Sequence, residues 1–233
     1  MIHDREHGFP TTPMNYAKIE KFAISVRAVL LPTTALSDEV PGITVFEDMH
    51  ELEIESDGRT FNVNYAVNAL PAGIEGISSY DPDRDEILLT LAPATYSSLS
   101  AGIPRALFSL AHEIGHVCVH TAKLVELSSI PHKVAALNRG QTPAHRAFED
   151  TEWQANAFAA AFLMPAAGLE ELESRGIVVT PKELVRRFNV SFDAARIRLD
   201  VYRAHRNDLL FRSKTPNWQQ TGRANNLVRK SSL

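Results

Sequence analysis

Residues 105–120 read RALFSLAHEIGHVCVH, and within them His112-Glu113-Ile114-Gly115-His116 decides how the chain is organised. On a helix, positions i and i+4 lie one above the other on the same face, so His112 and His116 offer two imidazole nitrogens to a single ion. Zinc accepts neutral imidazole at about 2.0–2.1 Å, and a catalytic zinc takes three protein ligands and keeps one position for water. Glu113, next along the helix, is placed to take a proton from that water. Leu107, Phe108, Leu110, Ala111, Ile114, Val117 and Cys118 surround the triplet, so the helix is apolar on most sides. Histidines and a glutamate in such a setting are costly to bury without a strong partner, and metal ligation supplies one.

A third ligand is needed. His120 continues the i+4 row but lies eight residues beyond His112, about 12 Å along the axis, which one ion cannot span. Its candidate roles are a partner that orients a ligand, a substrate contact or a plain helix-end histidine, the last being the one expected. The next segment, PAHRAFEDTEWQANAFAAAFLM, runs from Pro143 to a stop at Pro165, with Thr142 as the expected cap. There His145, Glu149, Glu152 and Asn156 share a stripe. Glu152 is the chosen ligand, because a carboxylate in the middle of an apolar helix needs a cation, and Asn156 one turn on can orient a ligating histidine. Glu149 is the rival, read as a solvated first-turn acid.

SLAHEIGHVCVH followed by EWQANAFAAAFLMP resembles the ImmA/IrrE family of zinc metallopeptidases. Its second pattern is met by Glu152, Ala155, Asn156, Phe158, Ala159, Ala160, Leu163, Met164 and Pro165, and the resemblance is firm over residues 85–165. It implies His112, His116 and Glu152 as zinc ligands and Glu113 as general base; manganese is the candidate substitute for zinc at such a site. It also implies a thermolysin-like minimal gluzincin core and, as substrate, a cognate helix-turn-helix repressor controlling a stress response or mobile element. The longer metzincin pattern is absent, since Val119 and Ala122 stand where it has glycine and histidine. Cys118, two residues from His116, points away from the ligand face, against a Cys-His-His site.

At 233 residues and 44% hydrophobic content the chain is long enough for a substantial core. One cysteine excludes an internal disulfide and fits a reducing compartment. No apolar run is long enough to span a bilayer, and residues 1–13 lack an apolar signal core, so a cytoplasmic protein without membrane contact is expected.

The fold class expected is α+β. Residues 15–31 carry a helical apolar period closed by Pro32. ITVF, ELEI, TFNVNYAV, IEGISSY and EILLTL, between residues 43 and 91, read as strands of a small twisted sheet. Residues 78–91 are the expected edge beside the metal, either pairing with an extended substrate or forming an ordinary hairpin. Residues 121–141 read as an irregular covering loop or connector containing Pro131, His132, Asn138, Arg139 and Gly140. His120, His132, His145 and Tyr80 are all conceivable partners for a developing oxyanion.

Beyond Pro165, Thr180-Pro181-Lys182-Glu183 opens one helix and Ser191 caps another, in the proportions of a helix-turn-helix. Arg186, Arg187, Arg196 and Arg198 provide candidate DNA contacts. Packing or protein binding is the favoured role of this hairpin, because Asp193 and Asp200 share it. The organisation expected is a zinc metallopeptidase domain over residues 1–170, a helix-turn-helix-like unit over 171–213 and a flexible basic tail over 214–233, with Trp218 as a possible anchor. That tail holds Lys214, Arg223, Arg229 and Lys230 and no acid, in a chain of net charge −4. An acidic body does not suit a dedicated DNA binder. The alternative to a peptidase is a non-proteolytic zinc-containing regulator acting through the hairpin.

Overall fold

The computed structural model describes residues 8–129 and 145–212 and the backbone of 226–229. Helix α1 (Tyr16–Leu30) starts where Asn15 accepts a hydrogen bond from the Lys18 amide, and it buries Ile19, Ala23, Val26 and Leu30. A short helix α2 (Gly42–Glu47) follows, where the ITVF run had been expected as a strand. The run is too short for its period to separate strand from helix. Pro41 precedes the first turn and its carbonyl accepts from the Val45 amide at 3.0 Å, so Val45 and Phe46 reach the core from a helix.

The sheet has five strands in the order β3-β4-β2-β1-β5. Strands β1 (Leu52–Ser56) and β2 (Arg59–Val67) form a hairpin through Asp57 and Gly58, both at positive φ, as a two-residue primed turn requires. Strand β4 (Glu86–Leu91) lies parallel to β2 and buries Ile87, Leu89 and Leu91, while β3 (Gly76–Asp81) pairs antiparallel with β4 and forms one edge. At the opposite edge β5 (Asn226–Arg229) pairs antiparallel with β1. This corrects the expectation of a tail that is flexible throughout. Four residues recruited by an open sheet edge leave little compositional trace; the other residues of 214–233 lie outside those described, Trp218 among them.

The helices lie against this sheet. After α3 (Pro93–Ser100), helix α4 (Pro104–Val119) carries the two histidines and is followed directly by α5 (Thr121–Ser128), so the first third of the segment expected to be irregular is helical. The rest, with His132, lies outside the described residues. Helix α6 (Thr151–Leu163) packs along α4. At their crossing stands Gly115: a Cβ there would meet the Ala155 Cα at 3.2 Å and Phe158 carbons at 3.1 and 3.3 Å. Glycine in a helix costs about 1 kcal/mol relative to alanine, and here it permits α4 and α6 to touch.

Helix α6 begins eight residues later than expected. Residues 147–149 form a 3-10 turn, and the Asp150 carboxylate caps α6 by accepting from the amides of Glu152 (2.9 Å) and Trp153 (3.0 Å). A charged cap holding two amides sets the start, and Glu152 therefore stands in the first turn, not mid-helix.

Pro165 separates α6 from α7 (Ala166–Ser174), and the hairpin α8 (Pro181–Phe188) and α9 (Phe192–Leu209) follows with Thr180 and Ser191 as caps. Asn189 makes the turn at φ 51°. The hairpin is not detached from the body. Arg198, expected among the exposed DNA contacts, is 2% exposed and pairs with the fully buried Glu20 of α1 at 2.7 Å. Among the described residues no helix is long and apolar enough to cross a membrane.

Candidate metal centre

His112 and His116 project from one face of α4 toward the first turn of α6. Their Nε2 atoms are 3.0 Å apart; Glu152 Oε2 lies 3.2 Å from the first and Oε1 3.3 Å from the second. A tetrahedral ion with ligands at about 2.0–2.1 Å separates its ligand atoms by about 3.3–3.4 Å, so the three donors already stand close to the edges of such a polyhedron. Among the described residues these three form the cluster that can hold a metal ion. The His112 Nδ1 is 3.1 Å from Asn156 Oδ1; a proton on Nδ1 donated to that oxygen leaves the Nε2 lone pair facing the cluster. Two lone pairs and a carboxylate turned toward one another are a donor set that fits a divalent cation.

The same crowding sets the charges when only protons fill the centre. Burial disfavours charge on His112, but its hydrogen bond to Glu152 and the negative charges of Glu152 and Glu113 outweigh burial and raise its pKa. Burial would raise the Glu152 pKa, yet the hydrogen bonds and charges of both histidines hold that carboxyl well below its ordinary range.

Glu149, the rival ligand, is elsewhere. Its carboxylate accepts from the Arg146 amide at 2.9 Å within the 3-10 turn.

Glu113 faces the edge strand. Ser78 Oγ lies 2.7 Å from Glu113 Oε2 and 3.0 Å from the Glu113 carbonyl oxygen, and a Cβ on Gly76 would approach the Glu113 Cγ to 2.9 Å. Strand β3 thus runs directly over the candidate base; of residues 78–91, expected as the edge, β3 is the edge while β4 lies inside the sheet, paired with β3 as a hairpin on one side and with β2 on the other. The hold of Ser78 on Glu113 had no counterpart in the sequence reading, because a serine in a strand gives no signal of what it faces.

Of the groups considered for an oxyanion, Tyr80 donates to Asp85 at 2.7 Å and His145 Nε2 lies 2.9 Å from Asp150. His120 is not the plain helix-end residue expected. It is 2% exposed, with Nδ1 at 3.1 Å from His116 Nδ1 and Nε2 at 3.0 Å from Gln154 Oε1. Burial, then the neighbouring His116, push its pKa down to about 3, so the ring is neutral.

The N-terminal stretch also reaches this centre, which sequence reasoning did not foresee. The Gly8 amide donates to Asp150 Oδ2 and the Phe9 amide to Thr151 Oγ1, both at 2.9 Å, and the Thr151 amide returns a bond to the Phe9 carbonyl at 3.1 Å. The loop that launches Glu152 is therefore held from outside.

A comparison with protein families matches residues 101–200 to the Peptidase M78 family, IrrE N-terminal-like domain. A search of curated proteins finds no match. The matched stretch holds α4, α6 and all three candidate ligands. The resemblance carried by the two motifs therefore holds for this part of the chain, which is a metallopeptidase-like domain on an α+β fold.

Proposed function

We propose that the IrrE N-terminal-like domain of residues 101–200 makes this chain a zinc endopeptidase, with His112, His116 and Glu152 as ligands and Glu113 as general base. The observation carrying the proposal is the donor set: two imidazole nitrogens and one carboxylate mutually 3.0–3.3 Å apart. Structural zinc is closed by four protein ligands, whereas three are the mark of a catalytic site. Zinc, or manganese in its place, would supply Lewis acidity toward the scissile carbonyl and a nucleophilic water at neutral pH.

The remaining work falls to side chains. Glu113 takes the proton of the attacking water and passes it to the leaving amine. Ser78 holds that carboxylate in one orientation. The outer edge of β3 offers backbone groups to an extended peptide, which places the scissile bond beside Glu113. Asn156 keeps His112 in the tautomer whose Nε2 is free to ligate.

The substrate class is a cognate helix-turn-helix repressor in the cytoplasm, whose cleavage would derepress a stress response or mobile element. The reading of the α8–α9 hairpin as a DNA-binding module is the weaker one, since Arg198 is consumed by Glu20, Arg186 by Glu183, and Arg196 lies between Asp193 and Asp200.

The test is incubation of the zinc-loaded chain with the helix-turn-helix repressors of its own genome, followed by mass spectrometry. Glu113→Gln should retain one zinc per chain and lose cleavage by about 10²–10⁴-fold, the usual contribution of a positioned base. Undiminished cleavage by that variant would remove Glu113 from the mechanism.

A further inference from the structure

Gln154 lies in α6 one turn before Phe158 and is 1% exposed. Its Nε2 donates to two backbone carbonyls, Thr12 at 2.9 Å and Phe148 at 2.8 Å. Carbonyls only accept, so the amide has one orientation and its oxygen is the atom facing His120 Nε2 at 3.0 Å. An amide oxygen also only accepts, which places the His120 proton on Nε2. The ring is 2% exposed and its two hydrogen-bond partners, Gln154 and His116, include no carboxylate to hold a second proton, so Nδ1 is left to accept, and it faces His116 Nδ1 at 3.1 Å. His116 must then donate from Nδ1. Its Nε2 is left with a lone pair, turned to His112 Nε2 at 3.0 Å and to Glu152 Oε1 at 3.3 Å.

Each step of this chain admits one proton placement. We propose that His120 and Gln154 are positioning residues of the metal centre: anchored by the carbonyls of Thr12 and Phe148, they lock His116 into the tautomer that presents Nε2 to the ion. The relay rests on reading His112, His116 and Glu152 as metal ligands, and it extends that reading in two ways. It gives each ligating histidine its own orienting partner, Asn156 for His112 and His120 for His116. It also makes the N-terminal stretch part of the centre, because Thr12 fixes the first amide of the chain.

A structural role alone would have His120 and Gln154 fill space where α4 ends against α6. Two measurements on the full chain separate the possibilities. Two-bond proton–nitrogen correlation of the histidine rings reads each tautomer in the zinc-loaded protein, and His116 should carry its proton on Nδ1 with the metal on Nε2. Zinc affinity, read by competition with a chromophoric chelator, should fall about 10–100-fold in Gln154→Leu and in His120→Phe, the usual cost of losing a partner that orients a ligand. His120→Asn, whose amide oxygen can take the place of Nδ1 as acceptor, should stay closer to wild type than His120→Phe. Thermal melts of the metal-free variants establish that each is folded; if His120→Phe does not fold, Gln154→Leu and the wild-type tautomer decide. A His116 proton on Nε2, or folded variants binding zinc as tightly as wild type while His112→Ala does not, would overturn the relay and leave the metal reading standing. Absence of zinc binding by the wild-type chain would overturn both.

Discussion

Removing either partner of the Glu20–Arg198 pair should destabilise the chain by several kcal/mol, and removing both should cost far less than the two single changes together. Glu20 is fully buried and Arg198 is 2% exposed, with Oε2 and the guanidinium 2.7 Å apart. The other carboxylate oxygen accepts the Ala166 amide at 2.6 Å, and Arg198 Nε donates to the Met164 carbonyl at 2.8 Å. One cluster therefore ties α1, the α6–α7 junction and α9. Breaking a buried pair by deleting one member costs about 3–5 kcal/mol, because the surviving charge has no solvent to return to. In Glu20→Leu the stranded group is the guanidinium; in Arg198→Leu it is a carboxylate left with one backbone donor.

In the double variant both charges are gone. What remains unsatisfied is the Ala166 amide and the Met164 carbonyl, at about 1–3 kcal/mol each, offset by the apolar side chains that replace the pair. Urea unfolding with an unchanged slope should give single-variant losses of about 3–5 kcal/mol and a coupling of at least about 2 kcal/mol across the cycle. At 2–4 °C per kcal/mol for a chain of this size, each single change lowers Tm by roughly 6–20 °C. A loss under about 1 kcal/mol, or strict additivity, would refute the reasoning. So would an Arg198 variant of native stability that had lost affinity for DNA, because it would return Arg198 to the surface role expected from sequence.

Ser78→Ala removes the hydroxyl that holds Glu113; kcat on a cleaved substrate should fall roughly 10–150-fold, the equivalent of the about 1.5–3 kcal/mol of a hydrogen bond to a charged group, with zinc affinity unchanged, and an unchanged kcat would dismiss the contact. In the metal-free protein, His112 is raised above 6.5 and Glu152 is depressed below 4.5. The first stabilises fully below pH 6.5 and is lost as pH rises through its folded value; the second stabilises above pH 4.5 and is lost as pH falls through its folded value. The Tm advantage of chelator-treated wild type over Glu152→Gln should therefore peak between about pH 4.5 and 6.5, and a flat difference would contradict the pairing. Cys118 is buried and its thiol is pushed up to about 12 by burial, so iodoacetamide should label it only on unfolding; labelling of native protein would place it elsewhere.

What could be read from the chain was what is local to it. His112 and His116 are four apart on one helix, and a spacing of four is a geometric statement that needs no fold. Glu152 was found for a reason that does not survive: it is a first-turn residue launched by the Asp150 cap, and what commits it to the cluster is its approach to two histidines on another helix. The same distinction separates Arg198 from an exposed cation: its deciding contact, Glu20, lies far along the chain.

The centre itself follows from how closely backbones approach. Gly115 lets α6 lie against α4, and Gly76 lets β3 pass over Glu113, with the hypothetical Cβ atoms at 3.1–3.3 Å and 2.9 Å from their nearest neighbours. Ligand spacing of 3.0–3.3 Å tolerates little change, so the sites most sensitive to substitution need not be the ligands. A methyl group on Gly115 would press on Ala155 and Phe158 of α6, the helix that carries Glu152; one on Gly76 would press on the side chain of Glu113. Reactive groups can be recognised by type and spacing, but the capacity to hold an ion depends on small residues that allow two helices and an edge strand to share one point.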